Sequence, residues 1–440
     1  MTTRMSPVGG PRLATWLLPR LPFFYGWVIL ACACTAGFSR QGPAVATLSV
    51  FVEPMTREFG WTRTALSGAV SLGGVMAAIA SPLLGPVLDR RGARLVLSAA
   101  VLVTGVCTMA LSLTQTLLAF YVFFCIARMN FAGPFDLGIY GAVNSWFLSR
   151  RALATSIANL AQMAGLVVMP LLAHLAMMQQ DWRAGWLMVG SIVLVVGFVP
   201  TWLLMVRRPE DVGLLPDGRQ VAPHGSGPGG ATRAPAPIPE PVFTRSEALR
   251  TPAFWLLALY TLAVYPVQAG MSLHQAPHLI ERGLSPTFAA TIVSTFSLLS
   301  ALSSLAFGLI TRRLGVRIAL VLSALFLGVS ALLMMGVAAP WQGYAAACCF
   351  GIGIGGVLTV LPIAWADYFG RRSFGAIRGA ALTVQVTAQA SGPLLSGVLR
   401  DVTGDYVASL LCFAAISFAG ALIGLLARAP MPPREKGAAI

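Results

Sequence analysis

Apolar residues run along this chain in blocks of helix length, each closed by a short polar, glycine-rich or basic break. Twelve blocks are visible, at approximately residues 24–50, 62–87, 94–114, 117–147, 152–178, 183–205, 253–280, 285–310, 316–338, 341–367, 374–399 and 404–427. A run of ~20 apolar residues crosses a hydrocarbon core as a helix. The pattern therefore predicts an all-α membrane protein with twelve transmembrane helices. Several blocks are longer than one crossing needs, which fits tilted helices or helix ends that project into water. The long interruption is 206–251, whose centre, Pro216–Pro241, is rich in Pro, Gly and Ala and has no apolar period. It reads as a flexible linker. The expected organisation is a cytoplasmic segment 1–23, a six-helix bundle 24–205, a cytoplasmic linker 206–251, a second six-helix bundle 252–428 and a cytoplasmic tail 429–440.

One break recurs. Gly85–Arg94 reads GPVLDRRGAR, and Gly308–Arg317, 223 positions later, reads GLITRRLGVR. Gly85 matches Gly308, Gly92 matches Gly315 and Arg94 matches Arg317. A basic, glycine-punctuated turn at the same place in each half implies two copies of one membrane-embedded unit.

Composition and charge narrow the class. The chain is 57% hydrophobic and only 10% charged, with a mean hydropathy of +0.77. A soluble protein carries roughly 25% charged residues, so this chain has too few to cover a surface in water. The net charge of +15 invites a nucleic-acid partner, but the placement of the charges excludes one. With the N-terminus inside, 23 of the 30 Lys and Arg residues fall on the cytoplasmic side. That is the positive-inside bias of a membrane protein. It predicts a multi-pass protein of the plasma membrane, a bacterial inner membrane, with both termini cytoplasmic.

About 20 residues precede the first apolar block, too many for a cleavable signal. Residues 1–23 are basic and Pro-rich, with Trp16 and Phe23–Phe24 at headgroup level. Trp27, Trp61, Trp146, Trp182, Trp202, Trp255, Trp341 and Trp365 fall near block ends, as an aromatic belt requires. The seven cysteines all lie in apolar blocks, without metal-ligand spacing, and read as packing residues. No metal or cofactor is expected. Gly351–Gly356, GIGIGG, lies in an apolar block with no strand before it, so it is not a nucleotide loop.

Two halves of six helices and a shared turn resemble the major facilitator superfamily. The family's turn between helices 2 and 3 reads G-x-x-x-D-R-x-G-x-R, matched here by Gly85, Asp89, Arg90, Gly92 and Arg94. Further stretches are similar to the monocarboxylate-transporter and oxalate/formate-antiporter branch: FYGWVI at Phe24–Ile29, GFSRQGP at Gly37–Pro43, EFGW at Glu58–Trp61, PAFW at Pro252–Trp255 and YFGRRSFGAIRG at Tyr368–Gly379. Together they cover about residues 24–428. The resemblance implies two pseudo-symmetric six-helix bundles, with helices 1, 4, 7 and 10 lining a central cavity.

Charges inside the apolar blocks are the functional candidates. An ionised side chain at the bilayer centre costs ~2.5–3.5 kcal/mol on insertion scales, so it marks a cavity or a solute path. Arg40 in helix 1, Arg128 in helix 4 and Asp136 in helix 4 stand well inside their blocks. At 1.5 Å per residue, Arg40 lies ~24 Å from its cytoplasmic start and Arg128 ~18 Å from its outer start, similar depths. The resemblance puts both on the cavity wall. Guanidinium geometry suits a carboxylate, and the charge cannot be lost by deprotonation. The bland alternatives are snorkelling to headgroups or a structural ion pair with Asp136. Asp136, ~12 Å along the axis from Arg128, is either a proton carrier or a helix-packing partner.

Other polar candidates for the substrate are Asn130, Tyr140, Gln385 and Gln389, which either bind solute or glue helices. The histidines are further candidates: His274 either lines the cavity or sits at the interface, as His278 does near it, and His174 reads as a packing residue. Mammalian relatives of the branch carry a Lys directly after the proline matching Pro43, where this chain has Ala44. Arg40, one turn earlier on the same face, takes its place. Those relatives also have an Asp and an Arg in helix 8, whereas 285–310 here carries no charge.

Gly85, Asp89, Arg90, Gly92 and Arg94 are the gating candidates. The resemblance sets Asp89 against the cytoplasmic start of helix 11, where a helix N-terminus stabilises a carboxylate. Its counterpart in the second half is Arg312, which cannot act so. The expected function is a monomeric secondary carrier of small organic anions, foremost monocarboxylates, working by alternating access with proton symport. Anion exchange is the second mode. A proton-driven multisubstrate exporter is a rival, disfavoured because Gly165–Pro170 reads GLVVMP without an adjacent Gly-Pro pair. A transport-dead membrane sensor is a rival of another class. No nucleophile–base set suggests an enzyme.

Overall fold

The computed structural model describes residues 11–218 and 240–431, and among them every regular element is a helix. A short helix α1 (Arg12–Leu17) precedes the first half. That half comprises α2 (Gly26–Ser39), α3 (Val45–Phe59), α4 (Arg63–Arg91), α5 (Ala93–Ala110), α6 (Leu117–Ala132), α7 (Pro134–Trp146), α8 (Arg151–Gln179), α9 (Trp182–Ile192) and α10 (Val199–Leu204), the last two joined by a π-helical turn over Val193–Phe198. The linker carries α11 (Arg245–Leu249). The second half comprises α12 (Pro252–Glu281), α13 (Pro286–Leu314), α14 (Val316–Met335), α15 (Pro340–Phe369), α16 (Phe374–Thr403) and α17 (Val407–Leu426).

The sequence dictates these starts and stops. Thr62, Thr116, Thr251 and Ser285 cap α4, α6, α12 and α13, each side chain accepting from the backbone N–H three residues on. Such caps are worth ~1 kcal/mol each. The recurring turn has one backbone in both copies: Gly92 after α4 has φ +83° and Gly315 after α13 has φ +87°. Only glycine adopts that region without cost.

Among the described residues, ten helical segments are long and apolar enough to cross a membrane. The other two crossings are the broken pair α2–α3 and the more polar α16. Leu83, Leu118, Leu394 and Val402 are exposed on the outside, where a water-facing protein would be polar. This is a multi-pass helical membrane protein.

Four expectations need correction. Helix 1 is not continuous over 24–50: it breaks at Arg40–Ala44 and runs on as α3 to Phe59. Helix 4 breaks at Gly133, whose φ of −111° and ψ of −85° are not helical, with Pro134 opening α7. Trp146 and Trp365 are fully buried core residues rather than belt residues, while Trp16, Trp255 and Trp341 are exposed. The linker's ends are ordered by ion pairs, described below. The remainder of the expected flexible stretch, 219–239, lies outside the described residues, as do 1–10 and 432–440.

The halves meet at one end. Call the end that carries the Gly85–Arg94 turn and the linker the basic face. There α4 packs along α16, and α8 packs on α13 and α15. Gly85 and Gly375 face each other so closely that a Cβ on either would collide with the other's carbonyl. Every hydrogen bond seen between the halves lies on this side, out to Asn159–Leu358 and Thr383–Ala78. Those residues are at most 13 positions from the basic end of their helices, or ~20 Å. Beyond them toward the far face, the described residues show no hydrogen bond joining the halves.

Candidate functional site

Arg40 lies where helix 1 breaks. Its N–H still bonds Ala36 O at 2.8 Å, and its Nη1 donates to Gln162 Oε1 at 2.7 Å. Arg128 stands one turn before α6 ends, its stem lying on Gly73 of α4, where a Cβ would come within 2.6 Å of Arg128 Cβ. The two guanidiniums flank a single ring. Cζ of Arg40 is 4.5 Å and Cζ of Arg128 is 4.2 Å from the Phe131 centroid. Their separation cannot exceed the 8.7 Å sum of those distances.

No carboxylate faces this pair among the described residues. Arg40 Nε, Arg128 Nε and Nη1 and Asn130 Nδ2 are all buried without an acceptor. A cation–π contact is worth ~0.5–2 kcal/mol. A buried donor left unpaired costs about 1–3 kcal/mol, more when charged. Three orphaned guanidinium nitrogens therefore outweigh the ring. The site is short of an anion.

A chain of hydrogen bonds carries Arg40 across to the other half. Gln162 Nε2 donates to Asn159 Oδ1 at 3.1 Å and to the Tyr140 hydroxyl at 3.5 Å. Tyr140 donates to Asn159 Oδ1 at 2.7 Å. Asn159 Nδ2 donates to Leu358 O at 3.0 Å and Thr359 Oγ1 at 3.2 Å on α15. Asn159, which sequence reasoning missed, and Gln162 are i,i+3 on α8 and so share a face. That spacing was the available signal.

Asp136 does not stand alone in its helix. The Gly133 break turns α7 so that Asp136 meets Arg378 of α16, with Nε–Oδ1 at 3.1 Å and Nη2–Oδ2 at 3.3 Å. Both side chains are buried, 4% and 1% exposed, so this is a desolvated ion pair across the halves. Arg378 Nη2 also donates to Gln385 Oε1 at 2.7 Å. Arg378 counts among the cytoplasmic basic residues in the sequence, because topology alone accounts for a basic residue there. The start of α16 at Phe374 puts it a full turn inside.

The remaining candidates separate. Gln389 donates to Gln268 at 3.1 Å and is exposed. His274 lies within the second half, its ring nitrogens 3.3 Å from the Tyr406 hydroxyl and 3.2 Å from Pro393 O, and joins neither arginine. His278 Nε2 faces Met334 O at 2.9 Å. On the far face Arg183, and then Trp182, hydrogen-bond Glu58 and hold its carboxyl below the usual carboxylate range.

On the basic face the Asp89 carboxylate sits at the N-terminus of α16. Its two oxygens accept from Gly375 N at 2.7 Å and Ala376 N at 2.8 Å. Arg94 donates to Trp202 O at 3.1 Å, as Arg317 does to Leu425 O at 3.2 Å in the second half. Arg90 and Arg312 are exposed, and Arg312 makes no hydrogen bond or ion pair among the described residues. Outside Asp89 the linker closes over both halves. Arg151 pairs with Asp367 and, at 3.3 Å, with Glu240. Arg371 pairs with Glu240 at 3.0 Å and Glu210 at 2.6 Å, and donates to Ser145 O at 3.1 Å.

Among the described residues no cluster of His, Cys, Asp and Glu is built to hold a metal. Two buried guanidiniums with unpaired donors beside one ring are suited to binding an anion.

Comparison with known proteins agrees with this architecture. The sequence model of the Major Facilitator Superfamily matches residues 29–279 and 274–439. Monocarboxylate transporter 11 of Homo sapiens is 27% identical over 296 residues, 64% of this chain and 58% of that protein. This chain thus spans a little over half of that relative's length. Membrane sensor protein UhpC of Salmonella typhimurium is 26% identical over 336 residues, 72% of each. Among solved structures, the transporter FucP in its outward conformation superposes with a TM-score of 0.70 at 11% identity, covering 92% of this chain and 100% of that one. The chain belongs to the Major Facilitator Superfamily, a family of membrane transporters and not of enzymes.

Proposed function

We propose that this protein is a secondary carrier of small organic anions, foremost monocarboxylates, working as a monomer by alternating access with proton symport. One observation carries the reading: Arg40 and Arg128 flank Phe131 with orphaned N–H donors and no facing carboxylate. A solute carboxylate placed between them takes up those donors and balances both charges. Its apolar remainder meets Phe131. The likeness to monocarboxylate transporter 11 supports the same substrate class.

In this reading the basic face is cytoplasmic, in a bacterial inner membrane, and the solute enters from the far face. Halves whose hydrogen bonds to each other all lie toward the basic face fit an outward-open carrier. Asp136 is the proton carrier. A proton taken up by Asp136 from the far side weakens its pair with Arg378 and lets the halves rock apart on the cytoplasmic side; the proton leaves there, and the pair re-forms as that face closes. Asp89 on the α16 N-terminus latches the outward-open state, since the contact exists only while the basic face is shut.

The likeness to UhpC supports a second reading, a sensor that binds the anion without moving it. Equilibrium binding to the purified protein tests what the two share. A short monocarboxylate should bind, and its amide should not. Arg128→Gln should weaken carboxylate binding at least about tenfold, the loss of one charge-assisted bidentate pair. Equal affinity for acid and amide, or for wild type and variant, refutes the anion site.

A further inference from the structure

On the basic face a small cleft, open to solvent, lies where the halves and the linker meet. Its walls include Arg207 and Arg208 at the end of the first half, Arg371 from the second half and Asn144 from α7. We infer that this cleft binds a phosphate group, and that the bound phosphate clamps the basic face shut. The inference does not depend on which solute is carried.

The donors are there and are not consumed. Arg207 and Arg208 make no ion pair among the described residues. Their Nη2 atoms reach only the backbone carbonyl of Asp89, at long distances of 3.4 and 3.5 Å. Arg207 Nε is buried without an acceptor. Arg371 uses three N–H groups on Glu240, Ser145 and Glu210. A guanidinium has five, so two remain. Asn144 is 1% exposed, lines the cleft, and has no partner for either Nδ2 or Oδ1. A buried amide with both ends unpaired is rare in a folded protein unless something else completes it.

Asp89 also borders the cleft, where Arg207 and Arg208 outnumber its charge. Both its carboxylate oxygens are held by the N–H groups of α16, and it turns its carbonyl to the arginines. Gly92 shapes the approach. With φ +83°, it has no Cβ to collide with the Arg207 stem, which crosses directly over it and carries the guanidinium into the cleft. The repeated turn thus builds part of a binding site as well as a latch.

The chemistry selects a tetrahedral oxyanion. Planar guanidiniums from two directions match pairs of phosphate oxygens, and the helix ends lie at the level of lipid headgroups. The phosphate comes either from an anionic lipid headgroup or from solution. A phosphate held by Arg207 and Arg208 on one side and by Arg371 on the other ties one half to the other.

The test uses the full-length protein with one spin label at the basic end of each half, away from the cleft, and reads the distance between them. One arm adds inorganic phosphate to phosphatidylcholine nanodiscs at constant ionic strength. The other replaces part of the phosphatidylcholine with phosphatidylglycerol. The closed population should rise several-fold in at least one arm. A response to inorganic phosphate identifies a free ion, and a response confined to phosphatidylglycerol identifies a headgroup. Arg207→Gln and Asn144→Ala should each raise the half-maximal concentration about tenfold. Without anion, Asn144→Ala should leave the unfolding temperature unchanged or higher, because the amide it removes has no protein partner. If Arg207→Gln does not fold, Asn144→Ala decides. No response in either arm, or the same response in wild type and variants, overturns the inference.

Discussion

Arg40 and Arg128 differ from the other inward-pointing arginines in what faces them. Arg151 meets Asp367 and Glu240, and Arg378 meets Asp136. Arg40 meets an amide and a ring, and Arg128 meets only the ring. The sequence showed Arg40, Arg128 and Asp136 because a charge in an apolar block has nothing else to explain it. It hid Arg378, which sits at a basic helix end that topology already accounts for. At this scale the Asp136–Arg378 pair makes a prediction. Removing one partner of a buried pair leaves an uncompensated charge, at a cost of about 3–5 kcal/mol. Asp136→Asn and Arg378→Gln should each lower the thermal midpoint in detergent. The double variant should recover most of the loss. Additive losses would show that the two groups do not interact.

Among the elements, the crossing of α4 and α16 is the gate in the proposed cycle. A Cβ on Gly85 would strike the Gly375 carbonyl, and Asp89 caps the same helix start one turn on. Gly85→Ala should therefore part the two helices at the basic face, exposing a cysteine introduced nearby to a water-soluble thiol reagent. Asp89→Asn should do so in part, since a neutral amide loses the attraction of the helix N-terminus. Arg312→Gln should change little, because Arg312 is exposed and unpaired among the described residues. Equal labelling of Asp89→Asn and Arg312→Gln would mean that both turns latch. The repeated glycine turn was legible from its spacing. The breaks at Arg40–Ala44 and Gly133 were not, because apolar residues continue through both and keep the blocks looking whole.

For the whole molecule, six helices on each side of one polar linker were plain from the hydropathy pattern, and the superfamily resemblance needed the Gly85–Arg94 motif as well. The closure of one face was not, since it depends on partners far apart in sequence. Glu240, in a stretch that reads as featureless linker, holds Arg151 of one half and Arg371 of the other. Arg371→Gln should release both linker ends from the second half and raise the inward-open population. The difference between variant and wild type should shrink at high salt, which screens these partly exposed pairs. A salt-independent difference would point to packing instead.

The central claim is that two unbalanced guanidiniums exist to hold a travelling carboxylate. Uptake of short monocarboxylates into proteoliposomes, with and without an inside-alkaline pH gradient, tests it most directly. The account predicts accumulation of the acids but not their amides, driven by the gradient and abolished in Arg128→Gln and Arg40→Gln that remain folded. Undiminished uptake in either variant, or equal uptake of the amides, would contradict it.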